Sequence, residues 1–246
     1  MKKKPSKPGR RAALLLTILL LTACQPSVIP QAQATPRILV VAVTPALQPL
    51  NSVFQDCAAA QGNTGLVAVD TPAQALDLNK TPLALRWGAP ASASDYAAVL
   101  GEEEFVVVVN PQNPLQQITL AELKAIYTGA QRAWKGPSTP AEVHPWALPG
   151  GDDVEAIFDA AILDAPAAPR VTFTAPNPAA MRASIAKDAA AIGFLPRRWL
   201  DTTVKLLPIA GIDPARLHRP ILATSKSEPG GLEKSWLICI QERLKG

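Results

Sequence analysis

The sequence has few of the residues that enzymes use for catalysis or metal binding. Of its 246 residues only two are histidines, His144 and His218. They lie far apart, and neither has a cysteine or carboxylate at a spacing typical of metal ligands. The chain also lacks a Gly-x-Ser-x-Gly motif, a P-loop and a dinucleotide-binding glycine pattern. We therefore expect no catalytic residues, no metal and no cofactor, and we rank an extracytoplasmic enzyme below the binding functions considered later.

The apolar run at residues 12–23 is too short to span a membrane, which takes about 20 apolar residues. It follows six Lys and Arg residues and ends in Leu21-Thr22-Ala23-Cys24, a pattern that predicts a secretory signal peptide over residues 1–23. The last four residues resemble the lipobox of bacterial lipoproteins, in which the cysteine is acylated with fatty acids such as palmitate and becomes the new N-terminus. Cys24 is thus the expected lipidation site, and the protein would be anchored on the extracytoplasmic face of the cell membrane. The alternative is a cleaved, soluble secretory protein.

Removal of the signal peptide reverses the sign of the net charge. Six of the 24 Lys and Arg residues lie in residues 1–23 and no acidic residue does, so 18 remain against 20 Asp and Glu. The mature chain has a formal net charge of −2, whereas the full sequence has a pI near 9.0. The basic pI therefore gives no evidence for nucleic-acid binding.

Strand and helix patterns alternate from residue 37 onward, after a proline-rich tether over residues 24–36. This alternation predicts an α/β fold. Predicted strands lie at residues 38–43, 66–69, 83–87, 106–109, 143–148, 171–174, 191–194, 204–209 and 221–224. Predicted helices lie at 50–60, from 71 onward, 120 to about 128, 153–163, 177–188 and 231–243, and residues 96–101 are predicted to form a short connection.

Residues 105–136 contain the most specific local pattern. Val106–Val109 is an unbroken β-branched run typical of a strand buried on both faces. Thr119 and Glu122 form a capping box, which predicts that a helix begins at Leu120 and ends near Gly129.

The same stretch resembles the phosphate-type periplasmic binding proteins of ABC importers. The matching motifs are Asn110-Pro111, Asn113-Pro114-Leu115, Ile118-Thr119-Leu120-Ala121-Glu122-Leu123, Ile126-Tyr127-Thr128-Gly129 and Trp134. Farther on, Ala191-Ile192-Gly193-Phe194 is similar to a family strand. The resemblance implies a type II periplasmic-binding-protein-like fold with two α/β lobes and a ligand cleft between them. Lobe I would comprise residues 37–104 plus 205–246, and lobe II residues 105–204. It also implies a monomer that passes a small-molecule or ion ligand to an ABC permease.

Three loops occupy the positions where this family binds its anion. They are the loop after the first strand, the loop after the third strand, and the loop before the second-lobe helix. The candidate ligand residues are Thr44, Ala46, Arg86, Trp87, Gly151, Asp152, Asp153 and, less strongly, Arg182. The chain departs from the family in the last loop, where Gly151-Asp152-Asp153-Val154 replaces Ser-Gly-Thr-Arg.

These candidates leave alternatives open. Asp152 or Asp153 either caps the following helix and faces water, or points into the cleft and favours a cation, an amine or a neutral ligand. Two inward carboxylates would repel a doubly charged anion. Arg86 is either a ligand residue or a salt-bridge partner at the strand edge. Trp87 and Trp146 either stack on a ligand or pack between the lobes.

Cys57 and Cys239 are the cysteines that remain after Cys24. Outside the cytoplasm they are expected to form a disulfide that joins the first and last helices; the alternative is two separate buried thiols.

Two functions follow from this pattern. The first is a membrane-anchored solute-binding protein that delivers a small ligand, such as a phosphate-like oxyanion, to an ABC importer. The second is a binding-protein-like lipoprotein without solute transport, acting as an interaction or sensory module.

Overall fold

A computed structural model describes residues 35–93, 95–136, 142–164 and 172–245. The predicted signal peptide, Cys24 and nearly all of the tether lie outside these residues, as does Val171 at the start of a predicted strand. Residues 36–246 form one compact unit, and the description below concerns this unit.

The chain alternates between strands and helices, as the sequence predicts. The strands are β1 (Arg37–Val43), β2 (Thr64–Asp70), β3 (Leu83–Trp87), β4 (Tyr96–Val109), β5 (Ile118–Thr119), β6 (His144–Ala147), β7 (Phe173–Thr174), β8 (Ala191–Pro196), β9 (Lys205–Leu206), β10 (Ile209–Ala210) and β11 (His218–Ser225). The helices are α1 (Asn51–Ala59), α2 (Leu120–Tyr127), α3 (Asp153–Phe158), α4 (Pro178–Ile185) and α5 (Gly231–Leu244).

Nine strands form one mixed sheet with the order β2-β1-β3-β11-β4-β8-β6-β7, and β9 pairs with β4. Strand β4 connects the two halves of this sheet. Eight of its first nine residues, all but Leu100, pair with β11, whereas Phe105–Val109 pairs with β8. The predicted connection at residues 96–101 is therefore wrong, because those residues form the beginning of a fourteen-residue strand. The division into two lobes stays a prediction.

An aromatic cluster fills the core beside the second half of β4. Phe158 stacks on Phe194 with ring centroids 4.1 Å apart, and both contact Phe105 and Tyr127. Val106–Val109 is buried, which confirms the interpretation of this run as a strand covered on both faces. Gly193 lies where a Cβ atom would come within 2.5 Å of the Ile185 side chain, so α4 packs directly on the backbone of β8.

Local capping motifs are the most accurately predicted features. Thr119 accepts a hydrogen bond from the Glu122 N–H, and the Glu122 carboxylate accepts one from the Thr119 N–H, which confirms the capping box of α2. The Asn177 side chain caps α4 by accepting a hydrogen bond from the Ala180 N–H at 2.9 Å. By contrast, the helix predicted at Thr71 is only a 3₁₀ turn over Ala73–Ala75 with no side-chain cap.

Helices α1 and α5 pack against each other. Cys57 and Cys239 form the expected disulfide, across 182 residues of sequence. Trp236 reinforces this contact, because its indole N–H donates to the Phe54 carbonyl at 3.0 Å. The first and last helices of the unit are therefore fastened together.

Candidate functional site

The carboxyl ends of β1 and β3 lie side by side, which brings two of the three candidate loops together. The strands are parallel, with Val43 opposite Leu85, and the Thr44 N–H donates to the Leu85 carbonyl at 3.0 Å. Thr44 therefore lies next to Arg86 and Trp87. The third loop reaches the same place through the first residue of α3, Asp153.

The Asp153 carboxylate is held on both of its oxygens. One oxygen lies 2.5 Å from Arg86 Nη2, and the other accepts a hydrogen bond from the Trp87 main-chain N–H at 3.0 Å. The side chains of Asp153 and Arg86 are 1% and 12% exposed, so the pair is almost completely removed from water. Asp153 thus points inward, and Arg86 is its salt-bridge partner.

Two opposing effects act on the Asp153 carboxyl. Burial raises its pKa, because a charge loses solvation in the protein interior. The Arg86 guanidinium, followed by the Trp87 N–H, favours the charged form and limits this rise. The charge of the carboxylate is therefore stabilised only by this particular set of donors.

Two polar atoms beside this pair have no hydrogen-bond partner among the described residues, namely Thr44 Oγ1 and Arg86 Nε. The Thr44 hydroxyl lies near the Asp153 carboxylate and favours its charged form. It does not, however, meet the geometry of a hydrogen bond with the carboxylate. The Thr44 hydroxyl therefore lies beside Asp153 without a hydrogen bond of standard geometry.

Asp152 has a different role from its neighbour. Its carboxylate accepts from the Val154 N–H at 2.8 Å and caps α3, but the residue is buried and does not face water as one interpretation of the sequence required. Burial raises the pKa of Asp152 to about 7, and the negative charge of Asp153 adds to the rise.

We expect Asp152→Asn to make stability less dependent on pH. The folded-state pKa of about 7 lies above the ordinary value of 3.8, so the folded protein binds an extra proton between these values. Its stability therefore falls as the pH rises through that window. Asparagine keeps the capping oxygen and carries no charge. The stability of the variant relative to the wild type should therefore increase by about 2–3 kcal/mol between pH 5 and pH 8 in urea unfolding. An equal difference at both pH values would contradict this pKa.

A cavity of about 450 Å³ lies against the Arg86–Asp153 pair. One wall is the connection that follows β3, and the other is α3 with the turn after it. Its lining is apolar except for three charged residues, Arg86, Asp153 and Arg219. The Arg219 guanidinium donates to the carbonyls of Ala215 and His218. The walls come from both of the predicted lobes.

The remaining predicted residues are placed elsewhere or have other contacts. Trp87 is fully buried and its indole N–H donates to the Arg219 carbonyl, so its ring is part of the core. Trp146 stacks on Phe173. Ala46 is buried and accepts from the Trp199 indole through its carbonyl, and Arg182 pairs with Asp201 at 2.9 Å. Trp87 lines the cavity and contacts Asp153 through its main-chain N–H, whereas Ala46, Trp146 and Arg182 do not line the cavity.

Gly151 has a backbone role at the entrance to α3. Its φ angle of +86° lies in the left-handed region, and an added Cβ would come within 3.1 Å of Gln74. The glycine lets the chain turn so that Asp152 and Asp153 follow in the buried loop.

Sequence reasoning missed two residues near this site. Arg219 lines the cavity, and Glu155 is buried and accepts from the Leu148 N–H at 2.8 Å. Glu155 belongs to a run of three acidic residues within four positions, which indicates an unusual helix start. Nothing local marks Arg219, because β11 reaches β3 only through the long-range pairing of the sheet.

Several solved structures have a similar fold. A protein from Clostridium perfringens, assigned as a phosphate ABC transporter substrate-binding protein and crystallised with phosphate, is 16% identical with a TM-score of 0.74, over 83% of this chain and 93% of that one. An ABC-type phosphate transport receptor from Vibrio cholerae is 15% identical with a TM-score of 0.63, over 83% of this chain and 93% of that one. The reduced OxyR regulatory domain from Pseudomonas aeruginosa is 13% identical with a TM-score of 0.61, over 84% of this chain and 98% of that one.

These similarities show that the chain has the type II periplasmic-binding-protein-like fold, as its sequence predicts. Both transport receptors and regulatory domains share it, so the fold alone does not choose between them. No protein-family model matches the chain, and no curated protein matches it.

Within the residues that the structure describes, no helix has the length and apolarity required to cross a membrane. Nor do they contain a group of three or more His, Cys, Asp or Glu side chains that would hold a metal ion.

Proposed function

We propose that this chain is an extracytoplasmic solute-binding lipoprotein that holds a small ligand in the cavity beside Arg86 and Arg219. The observation that supports it most directly is the cavity itself, about 450 Å³ in volume and lined by both halves of a fold shared with phosphate-binding receptors. Ligand sites in proteins are typically cavities of this size with apolar walls and a few polar groups.

The charges of the lining indicate what kind of solute fits. Asp153 neutralises Arg86, which leaves Arg219 as the one uncompensated charge among the described residues of the cavity wall. A dianion such as hydrogen phosphate would meet the Asp153 carboxylate as well as the arginines, and like charges repel strongly in a buried site. The favoured ligand is therefore a small solute with apolar surface and at most one negative charge.

The proposed cellular role follows from the N-terminal sequence and the fold. Cys24 would carry the lipid anchor, and the folded unit would work as a monomer that presents its ligand to an ABC permease. The similarity to transport receptors supports this role, and the delivery step requires its own test in membranes with the permease.

Ligand binding is tested with a panel of small carboxylates, amines, neutral polar solutes and phosphate, read as the shift in melting temperature. A ligand at about 100 times its Kd should stabilise the protein by about 2.7 kcal/mol. We expect a singly charged or neutral solute to produce such a shift and phosphate to produce none.

A variant that fills the cavity provides the specificity control. Ala156 lies on the exposed side of α3 and lines the cavity, so Ala156→Phe should abolish the ligand-induced shift and leave the ligand-free melting temperature almost unchanged. Ala183→Phe makes the same change on the exposed face of α4, away from the cavity, and should keep the shift. If no solute in a broad panel stabilises the wild type, the interaction or sensory module becomes the better account.

A further inference from the structure

The Asp153 carboxylate receives what a bound oxyanion receives from a protein. A guanidinium approaches one oxygen, a main-chain N–H donates to the other, and a hydroxyl lies beside them. Arginine and main-chain N–H groups are the usual donors to carboxylate and phosphate oxygens in binding sites. The three donors come from the ends of β1 and β3, whereas the carboxylate comes from α3, more than 60 residues farther along the chain.

The Asp153 side chain is 1% exposed and that of Arg86 is 12% exposed, so the carboxylate occupies the position of the anion and bulk solvent has little access to the pair. Among the residues the structure describes, Thr44 Oγ1 and Arg86 Nε have no partner at standard hydrogen-bond geometry. Thr44 is itself only 1% exposed, so its hydroxyl is an unpartnered polar group inside the site.

We propose that Thr44, Arg86 and the Trp87 N–H form an oxyanion-binding site that the protein's own Asp153 carboxylate occupies as an internal ligand. The site takes a planar, singly charged oxyanion of carboxylate size, because the group that fills it is a carboxylate. In the wild-type protein the site is closed to external anions. This inference goes beyond the proposed solute binding, because it holds whether or not the neighbouring cavity takes a solute.

Formate is the smallest free ion that reproduces the Asp153 carboxylate, and Asp153→Ala leaves room for it. The variant removes the carboxylate, keeps the helix start and leaves Arg86 without its counter-charge. We expect its melting temperature to fall below that of the wild type. Sodium formate at about 0.1 M should then raise the variant's melting temperature by about 3–6 °C relative to sodium chloride of equal concentration. The wild type should show no difference between the two salts.

Two further variants distinguish formate bound in place of the Asp153 carboxylate from a general effect of the salt on stability. Asp153→Asn keeps the space filled, so formate should not stabilise it. Arg86→Met/Asp153→Ala removes the main donor, so formate should not stabilise it either. If Asp153→Ala does not fold in chloride, the readout is the yield of folded protein after dilution from urea into each salt, measured by circular dichroism. A higher yield in formate for Asp153→Ala alone supports the proposal.

Equal effects of formate on the wild type and Asp153→Ala would overturn the internal-ligand proposal, as would no effect of formate on Asp153→Ala in either readout. These outcomes are independent of the solute panel, which uses the wild-type cavity. Formate rescue without any solute response would contradict only the proposed function. A solute response without formate rescue would contradict only the internal ligand.

Discussion

Arg86→Met is expected to reduce the free energy of unfolding by about 3–5 kcal/mol at pH 8, the usual effect of leaving one member of a buried ion pair uncompensated. Asp153 would keep the Trp87 N–H but lose its counter-charge, and its side chain is 1% exposed. The loss should be smaller near pH 5, since burial already raises the pKa of Asp153 and the carboxyl can take up a proton when Arg86 is gone. Urea unfolding at the two pH values measures both effects.

The matched controls distinguish an unpaired charge from a lost contact. Arg86→Met/Asp153→Asn removes both charges and keeps an acceptor for the Trp87 N–H, so it should be more stable than Arg86→Met alone. Lys234→Met breaks the exposed pair with Glu228, whose atoms are 2.8 Å apart, and should change stability very little. An Arg86→Met protein as stable as Lys234→Met would show that Asp153 is not charged and buried as described.

The second large effect is expected at the disulfide. The double variant Cys57→Ser/Cys239→Ser should lose about 3–5 kcal/mol, because a crosslink over 182 residues removes much of the chain entropy of the unfolded state. The change is measured by urea unfolding of both proteins with and without dithiothreitol. Reductant should lower the stability of the wild type to that of the double variant and should not affect the variant.

A wild type that reductant does not destabilise would contradict this account of the disulfide. In that case α1 and α5 would be held by packing alone, through contacts such as the Trp236–Phe54 hydrogen bond.

Local chemistry explains which parts of the fold were predictable. Thr119 with Glu122 and Asn177 with Ala180 are contacts between residues three positions apart, so the residue types alone indicate them. The β-branched run at Val106–Val109 is equally direct, since only a strand buried on both faces suits it.

The wrong secondary-structure predictions concern segments whose local sequence does not determine their structure. Residues 96–101 contain alanines, a glycine and no β-branched run, and they become strand because β11 pairs with them. Thr71 begins a plausible capping motif, yet the chain there forms only one 3₁₀ turn. At residues 96–101, pairing within the sheet overrides a weak local preference. At Thr71, a match to the capping motif is not sufficient to form an α-helix.

The candidate site stays a prediction, and the structure shows which of its residues contact one another. The three loops and the residues Thr44, Arg86 and Asp153 were identified from family resemblance. Which aspartate pairs and which caps was left open, because both follow Gly151 and differ by one position. The structure resolves this through helix geometry, which turns Asp152 toward the Val154 N–H and Asp153 toward Arg86.

The most direct measurement of the central claim is a calorimetric titration of the wild-type protein with inorganic phosphate at pH 7.5. If Asp153 fills the oxyanion site as proposed, phosphate should not bind, and any Kd should lie above about 1 mM. A Kd in the micromolar range would show that phosphate enters the site despite the carboxylate and would contradict the proposal.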